Sequence, residues 1–415
     1  MLILQSVFGL TAFMSIAWVL SENRKAFSWR IAIGGLGLQL IIAILLLKLP
    51  PARLFFVGLN QVILSLEQAA QAGTSFVFGY LGGGPLPFEE TEIGGSLVFA
   101  FRSLPLIIVM GALTALLTYW RVIPLVAGLF SALFQRTLGV SGPVSFSAAA
   151  NIFVGMVEAP LFIRPYLSQL SRGELFMVMC TGMATISGTV LLLYTTILSP
   201  VLADAPGHFV TASIISVPAA IMVAMIMVPP EKSTEGRFQV GPSEATSSMD
   251  AITIGTQRGL SLYLSIVAML IVLVALVQLA NSILSFLPDI GGEVLTLQRG
   301  LGWVMAPIVW LMGIPWNEAM SAGSLMGIKT VLNEFLAYLE LAEMTDAELS
   351  GRSRLIMSYA LCGMANFGSV GIMIGGFTAL LPERRQEIAS LGLKSIVGGT
   401  IATCCTGAII GIVGG

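Results

Sequence analysis

The sequence predicts an all-α polytopic membrane protein with about eight transmembrane helices and two re-entrant hairpins arranged as an inverted repeat. Three observations predict it: an apolar composition, apolar runs of membrane-spanning length, and two polar-containing stretches that match each other. Of the 415 residues, 56% are hydrophobic and 10% are charged, and the mean hydropathy is +0.92. Because a soluble domain carries about 25% charged residues, most of this surface must face lipid.

Charge and cysteine content exclude several other classes. The formal net charge is −2, which argues against a nucleic-acid partner because such partners need a basic face. The four cysteines lie inside apolar stretches without metal-ligand spacing, at Cys180, Cys362, Cys404 and Cys405. We predict that they are packing residues.

Apolar runs of about 20 residues are long enough to cross the hydrocarbon core as helices. The sequence contains eight such runs, at 2–20, 31–49, 94–119, 174–199, 208–229, 259–286, 354–381 and 391–413. When the loops between successive spans are assigned to alternate sides of the membrane, positive charges recur on one side. They are Arg24, Lys25, Arg30, Arg121, Lys232, Arg237, Arg384 and Arg385. The positive-inside rule then places both termini outside and the 230–257 loop inside, although Arg352 and Arg354 lie on the opposite side. Residues 71–93 are predicted to form an external segment, and the short loops suggest a bacterial inner membrane.

Two stretches, 141–170 and 313–341, fit none of these runs. They contain the ionisable residues Glu158, Arg164, Glu318, Lys329 and Glu334. A charge at the centre of a membrane helix costs about 2.5–3.5 kcal/mol, so these groups should face protein or a water-filled cavity. Irregular backbone at membrane depth is tolerated in the same places. We therefore predict two re-entrant hairpins whose tips meet near the midplane.

Each hairpin stretch is followed by a helix with the same short motif. Gly182-Met183-Ala184 follows Glu158, and Gly363-Met364-Ala365 follows Glu334. An odd number of predicted crossings separates the two copies, so the second enters from the opposite face. Repeats of this kind place a binding site at their interface, where broken helices offer dipole ends and free carbonyls.

Neutral oxygens in the first copy suggest a cation site. Asn151 and Thr185 lie in segments predicted to unwind near Gly155 and Gly188, where the carbonyls of Val154 and Ile186 could join them. Oxygen ligands suit a small hard cation. The alternative is that Asn151 caps a helix and Thr185 bonds back to its own helix.

Carboxylates and amides suggest a second site for a ligand rich in hydroxyl groups, such as a sugar ring. Its candidate residues are Glu158, Glu334, Asn366 and Ser369. A structural salt bridge or a hairpin cap is the alternative for each glutamate. A general acid/base pair of an intramembrane enzyme is another, although no nucleophile, metal triad or phosphate loop accompanies the pair.

Several longer motifs resemble the concentrative nucleoside transporter family along the whole chain. They are Asn23-Arg24-Lys25, Gly73-Thr74-Ser75-Phe76, the run from Asn151 to Pro160 with Arg164-Pro165, Pro315 to Ala319, Lys329-Thr330-Val331, Asn333-Glu334-Phe335 and Cys362 to Asn366. The resemblance implies a sodium-coupled nucleoside importer with no organic cofactor. It also implies a homotrimer in the lipid bilayer, in which each protomer moves a transport domain against a scaffold in an elevator-like way.

The resemblance also implies a division of the chain. Residues 1–140 would provide scaffold helices, the external segment and an interfacial helix, and 231–300 a cytoplasmic loop and a scaffold helix. Residues 141–230 and 301–415 would be the two repeats of the transport domain.

Site roles follow from the resemblance residue by residue. Asn151 and Thr185, with the carbonyls of Val154 and Ile186, would bind sodium. The ribose would be held by Glu334, Asn366 and Ser369. The nucleobase would face Gly155, Met156, Val157 and Glu158, and Val190 would line its pocket. Proton coupling through Glu158 or Glu334 remains the alternative to sodium.

One motif departs from the family pattern. The hairpin tip commonly reads Gly-Gln-Thr-Glu, whereas this chain has Gly155-Met156-Val157-Glu158. Met156 and Val157 cannot hydrogen-bond a base edge, and an apolar pocket discriminates weakly. We predict base selectivity that is altered or relaxed relative to a pyrimidine-type member, and Met364, where an aromatic residue is often found, supports this.

Overall fold

A computed structural model describes residues 2–89, 98–231, 234, 238–241, 244–289, 292 and 294–414, without the side chains of 53–55. Several sequence predictions fall partly outside these residues. They concern the end of the external segment at 90–93, the start of the third apolar run at 94–97, and the charges Lys232 and Arg237.

The described chain is built from seventeen α-helices. Helices α1 to α6 are Leu2–Val19, Trp29–Lys48, Pro50–Phe78, Phe99–Arg102, Leu106–Tyr119 and Val122–Leu138. Helices α7 to α11 are Gly142–Ala150, Arg172–Ala184, Gly188–Leu198, Ala205–Met227 and Ser248–Leu284. Helices α12 to α17 are Leu297–Leu311, Ala319–Val331, Glu334–Glu343, Gly351–Ala360, Phe367–Leu380 and Arg385–Val413. Short 3-10 helices span Arg24–Ala26, Gly79–Gly82, Ala159–Gln169 and Pro382–Arg384.

Seven helical segments of the described chain are long and apolar enough to cross a membrane. They are Leu2–Val19, Trp29–Lys48, Phe99–Tyr119, Arg172–Leu198, Ala205–Met227, Ser248–Leu284 and Pro382–Val413. Each overlaps one of the predicted apolar runs. The remaining run, 354–381, is interrupted between α15 and α16, so eight crossings stay a prediction.

The helices form two copies of one series of elements. In the first copy, α7 and the 3-10 helix Ala159–Gln169 pack as a hairpin, followed by α8, a break at 185–187, α9 and α10. In the second copy, α13 and α14 form the hairpin, followed by α15, a break at 361–366, α16 and α17. We call these pairs the first and second hairpins. The structure thus contains the predicted broken helices, and re-entry of the hairpins into a membrane stays a prediction.

The two broken helices touch each other at their breaks. A Cβ on Gly363 would lie 3.0 Å from the carbonyl oxygens of both Met183 and Ala184. Only glycine allows a backbone to approach this closely. The shared Gly-Met-Ala motifs therefore mark a contact between the repeats, in the interior of the protein.

Helices α5 and α11 pack closely outside this core. A Cβ on Gly111 would lie 2.7 Å from the carbonyl oxygen of Gly255, and one on Gly255 would lie 2.5 Å from that of Gly111. Small residues let membrane helices approach to van der Waals distance. The other faces of α11 expose Leu264, Ile271 and Leu279, as expected of a lipid-facing helix.

A group of charged residues joins distant parts of the chain at one end of the helices. Glu22, between α1 and α2, accepts hydrogen bonds from Arg172 at 2.9 and 3.1 Å and from Lys394. The bonds from Arg172 lower the pKa of Glu22 from 4.5 to about 2, against the opposing effect of burial. Arg384 donates to the carbonyl of Leu170 at 2.6 Å, so the root of the first hairpin is tied to the same end.

Candidate binding site

Glu334 is the first residue of α14, and its carboxylate is fixed from two directions. Its Oε1 accepts a hydrogen bond from Tyr194 Oη at 2.8 Å, and its Oε2 accepts one from Asn366 Nδ2 at 2.8 Å. The residue is 6% exposed. A helix N-terminus favours a carboxylate, and the cap provided by Asn333, which accepts from the Leu336 amide at 2.9 Å, starts α14 at this position.

Asn366 connects Glu334 to the second broken helix. It is the N-cap of α16, and its Oδ1 accepts a hydrogen bond from the amide of Ser369 at 2.7 Å. Its two amide ends are thus both engaged, which fixes the orientation of the side chain. The structure therefore brings together three residues selected from the sequence, Glu334, Asn366 and Ser369.

Tyr194 is a member of this group that the sequence analysis missed. Its ring lies 4.9 Å from that of Tyr338 and 6.3 Å from that of Phe335, measured between centroids. In an apolar helix a tyrosine is usually a packing residue, so its residue type gave no reason to select it as a site residue. The available signal was its spacing: Tyr194 follows Val190 by one helical turn and so shares its face of α9.

Asn151 lies at the end of α7, in the tip of the first hairpin. It is 1% exposed, and neither its Oδ1 nor its Nδ2 has a hydrogen-bond partner in the described structure. Buried polar groups are nearly always satisfied, and leaving one unpaired costs about 1–3 kcal/mol. The side chain caps no helix, contrary to the structural alternative, and it is available to a ligand.

Thr185 begins the break between α8 and α9. Its hydroxyl donates to the carbonyl of Thr181 at 2.9 Å, which is the back-bonded arrangement named as the structural alternative. The oxygen of that hydroxyl still has lone pairs to offer. Among the described residues, no hydrogen bond is made to the carbonyl oxygens of Val154 and Ile186. An orphaned amide, a hydroxyl and two free carbonyls fit a sodium ion by donor type.

The tip of the first hairpin packs against this break. Gly188 donates its amide to the carbonyl of Phe153 at 3.2 Å, and a Cβ on Gly188 would lie 2.5 Å from that oxygen. Gly155 is equally confined, because a Cβ there would lie 2.3 Å from Oε2 of Glu158. The Glu158 carboxylate therefore folds back over the tip.

The two apolar tip residues point in different directions. A Cβ on Gly182 would lie 2.7 Å from the Cβ of Met156, and one on Gly376 would lie 3.0 Å from Val157. Met156 thus packs on α8 and Val157 beside α16. Val190 is buried at 3% exposure.

A cavity of about 530 Å³ opens between the first hairpin, α5 and α11. Its lining includes Val154, Gly155 and Glu158 from the tip and Thr189 from the start of α9. Glu334, Asn366 and Ser369 do not line it. Glu244 and Arg258 also line the cavity. They form an ion pair at 2.5 Å, and both residues are half exposed.

The two copies of one series of elements, their broken helices and the buried polar groups at the crossing define a membrane transport protein. Family models match the chain in three parts: the Na+ dependent nucleoside transporter N-terminus over residues 8–81, nucleoside recognition over 100–201, and the Na+ dependent nucleoside transporter C-terminus over 208–411. The chain belongs to the concentrative nucleoside transporter family. Members of this family are transporters and not enzymes, which rules out the intramembrane enzyme.

Individual relatives cover nearly the whole chain. Nucleoside permease NupC of Helicobacter pylori is 36% identical over 98% of this chain and 97% of its own length. Sodium/nucleoside cotransporter 1 of the rat is 32% identical over 99% of this chain and 63% of its own length. The structure of CNTnw in an inward-facing substrate-bound state superposes with a TM-score of 0.91 at 34% identity, covering 100% of this chain and 98% of that one. An outward-facing variant of CNTnw gives a TM-score of 0.90 at 34% identity, with the same coverage.

Proposed function

We propose that this protein is a secondary active symporter that imports nucleosides together with sodium. It works as a homotrimer in a bacterial inner membrane, by elevator-type movement of the two repeats against a scaffold that includes α5 and α11. Sodium binding orders the tip of the first hairpin, so sodium and nucleoside increase each other's affinity by the same factor. The family's Na+ dependent members and the inward-facing and outward-facing states of CNTnw support this proposal.

The observation that carries the sodium proposal is the unpartnered amide of Asn151. Burying an amide with both ends unpaired is unfavourable, and a ligand bound to it would offset that cost. The groups proposed to join it, Thr185 and the carbonyls of Val154 and Ile186, offer neutral oxygens, which suit a monovalent cation. Asn151, Thr185 and the carbonyls of Val154 and Ile186 would hold that ion.

Uptake of radiolabelled nucleoside into proteoliposomes tests this assignment, with an inward sodium gradient and a matched potassium control. We expect uptake to need sodium, and Asn151→Ala and Thr185→Val to raise the sodium concentration for half-maximal uptake at least about tenfold, since each removes one ligand. Thr181→Val is the matched control, because its hydroxyl also bonds back to α8, at 2.9 and 3.0 Å, but one turn before the break. Equal effects of the two threonine variants would contradict the assignment.

Proton coupling is the second candidate, and one observation favours it. The Glu334 carboxylate is buried and its side-chain partners, Tyr194 and Asn366, are both neutral. A carboxylate in that setting can bind a proton without breaking an ion pair. Uptake that ignores sodium but follows an inward proton gradient would transfer the coupling role to this residue.

The proposed contacts with the nucleoside are divided between the two repeats. We infer that Glu334, Asn366 and Ser369 bind the ribose, since a carboxylate, an amide and a hydroxyl match its hydroxyl groups. Gly155 and Glu158 would face the nucleobase together with Val190. The Glu158 carboxylate lines the cavity beside the tip, and Val190 contributes an apolar side chain for this purpose.

Base selectivity is the part of the proposal that belongs to this chain in particular. Met156 and Val157 replace the polar pair of the common tip. Apolar contacts discriminate between ligands by only about 1–3 kcal/mol. We therefore predict that uridine, adenosine and inosine are taken up at rates within about tenfold of one another. Competition by each unlabelled nucleoside measures this. The double change Met156→Gln with Val157→Thr should sharpen selectivity, and strict uridine selectivity of the unaltered protein would contradict the idea.

A further inference from the structure

Lys329 is a buried cation in the second hairpin to which the proposed mechanism gives no part. It lies in the last turn of α13 and is 0% exposed. Its Nζ donates to the carbonyl of Ala360 at 2.7 Å and to Thr403 Oγ1 at 3.0 Å. It takes part in no ion pair within the described part of the chain. Burying an ammonium costs several kcal/mol unless specific partners stabilise it. Both hydrogen-bond partners of Lys329 are neutral, and the Glu334 carboxylate attracts its charge without forming an ion pair with it, so this position calls for an explanation.

The place of Lys329 in its repeat corresponds to that of Asn151 in the other. Asn151 follows the last residue of the first arm of its hairpin, and Lys329 is in the last turn of the first arm of its own. Asn151 lies beside Gly182, near the end of α8: a Cβ on Gly182 would be 4.0 Å from its Nδ2. Lys329 reaches Ala360, the last residue of α15. In both repeats a polar side chain thus points at the C-terminal end of the first half of the broken helix.

The C-terminal end of a helix attracts a cation because its last carbonyls are free and its dipole is negative there. At α15 the ammonium of Lys329, which is covalently attached to the chain, supplies that cation. At α8 the chain supplies only the neutral amide of Asn151, whose two ends have no partner. The hydrogen-bond acceptors around the ammonium, a carbonyl oxygen and a threonine hydroxyl, are the same types of group as the proposed sodium ligands Thr185, Val154 and Ile186.

We propose that Lys329 is a tethered cation that occupies, in the second repeat, the position that the coupling sodium takes in the first. The second hairpin then carries a positive charge that is attached to it, whereas the first hairpin binds an exchangeable cation. Only the first hairpin can therefore couple transport to an ion gradient. The comparison between the two repeats rests on the proposed sodium coupling. The expected need for a positive charge beside Ala360 does not depend on it. A cation bound at this second site would otherwise have to be carried with each nucleoside.

Removing the tether while leaving its space tests the proposal. In proteoliposomes, Lys329→Ala should lower sodium-driven uptake at least about tenfold, and methylammonium or ethylammonium ions should restore it several-fold by entering the vacated position. Raising sodium should restore it as well, with a Hill coefficient that rises from about 1 towards 2 because two exchangeable sites are then filled. A residue that only fills space would give neither response.

Lys329→Met is the matched control, since methionine fills the space of the lysine side chain up to Cε, which an alkylammonium ion would have to enter, and removes the charge. We expect it to be inactive and unresponsive to alkylammonium ions, while its detergent-solubilised form still elutes as one species. Normal uptake by Lys329→Met overturns the proposal. This test is sufficient by itself if Lys329→Ala cannot be purified. Lack of response of a folded Lys329→Ala protein to both sodium and alkylammonium overturns it too.

These outcomes differ from failure of the proposed function. If the unaltered protein takes up nucleosides without sodium, the sodium coupling is wrong, whatever Lys329 does. If the unaltered protein requires sodium and the Lys329 variants behave as the wild type, only the tethered cation is wrong.

Discussion

At the scale of single residues, the carboxylate of Glu334 makes the most specific interactions of the candidate site. It accepts one hydrogen bond from Tyr194 and another from Asn366, at the N-terminus of α14. Hydrogen bonds to a charged group contribute about 1.5–3 kcal/mol each. The three side chains therefore hold each other in place before any ligand arrives.

This arrangement predicts a graded response to substitution. Glu334→Gln should weaken nucleoside binding at least about a hundredfold, because the new NH₂ opposes one of the two donors, Tyr194 or Asn366, and a charge is lost. Tyr194→Phe should cost about tenfold, since one donor is removed and Asn366 still holds the carboxylate. Isothermal titration of the purified protein with nucleoside measures both, and a larger loss in Tyr194→Phe would contradict the order.

The sequence was informative about these residues to different degrees. Glu334, Asn366 and Ser369 are polar where lipid would not tolerate them, so their selection followed from composition and depth alone. Tyr194 is amphipathic, and nothing in a sequence tells whether such a hydroxyl meets a carboxylate or a carbonyl. The directions of Met156 and Val157 were equally out of reach, because the tip backbone is irregular and has no period from which side-chain directions could be read.

At the scale of elements, the crossing of the two broken helices is the feature on which the site depends. Gly363 lies against the ends of α8 where its carbonyls become free, and Gly188 lies against the first hairpin tip. The shared Gly-Met-Ala motif was visible in the sequence. That the two copies touch was not, since spacing along a chain gives no distance between separate helices.

A methyl group at the crossing should therefore be costly. Gly363→Ala would place a Cβ 3.0 Å from two carbonyl oxygens and 2.7 Å from Thr403, and we expect it to destabilise the protein by about 1–3 kcal/mol through overpacking. Thermal unfolding in detergent measures this. Gly371→Ala in α16 is the control, because a Cβ there meets no atom within 4 Å, and it should be neutral or slightly stabilising. Equal effects of the two changes would contradict this account of the crossing.

At the scale of the whole molecule, the charged residues around Glu22 connect the α1–α2 loop, α8 and α17. Because the pKa of Glu22 is lowered from 4.5 to about 2, its contribution to stability is complete above pH 4.5 and is lost as the pH falls towards 2. Its side chain is 29% exposed, so solvent screening limits the contribution to about 1–2 kcal/mol.

Comparing unfolding temperatures at pH 7 and pH 3 tests this contribution. The unaltered protein should lose more stability than Glu22→Gln over that interval, since the variant lacks the titrating group. At pH 7 the variant should be the less stable of the two, and the difference should shrink in high salt. A difference that is independent of both pH and salt would mean that Glu22 contributes through packing alone.

The contact between α5 and α11 has a consequence for the biosynthesis of the protein. Gly111 and Gly255 each lie against the backbone of the other helix, yet the two helices are made at different times. At a synthesis rate of about 5–20 residues per second, α11 leaves the ribosome roughly 7–30 s after α5. During that interval the glycine face of α5 remains beside lipid or the insertion machinery. The two helices therefore pair only after the first repeat, which lies between them in the chain, has been made.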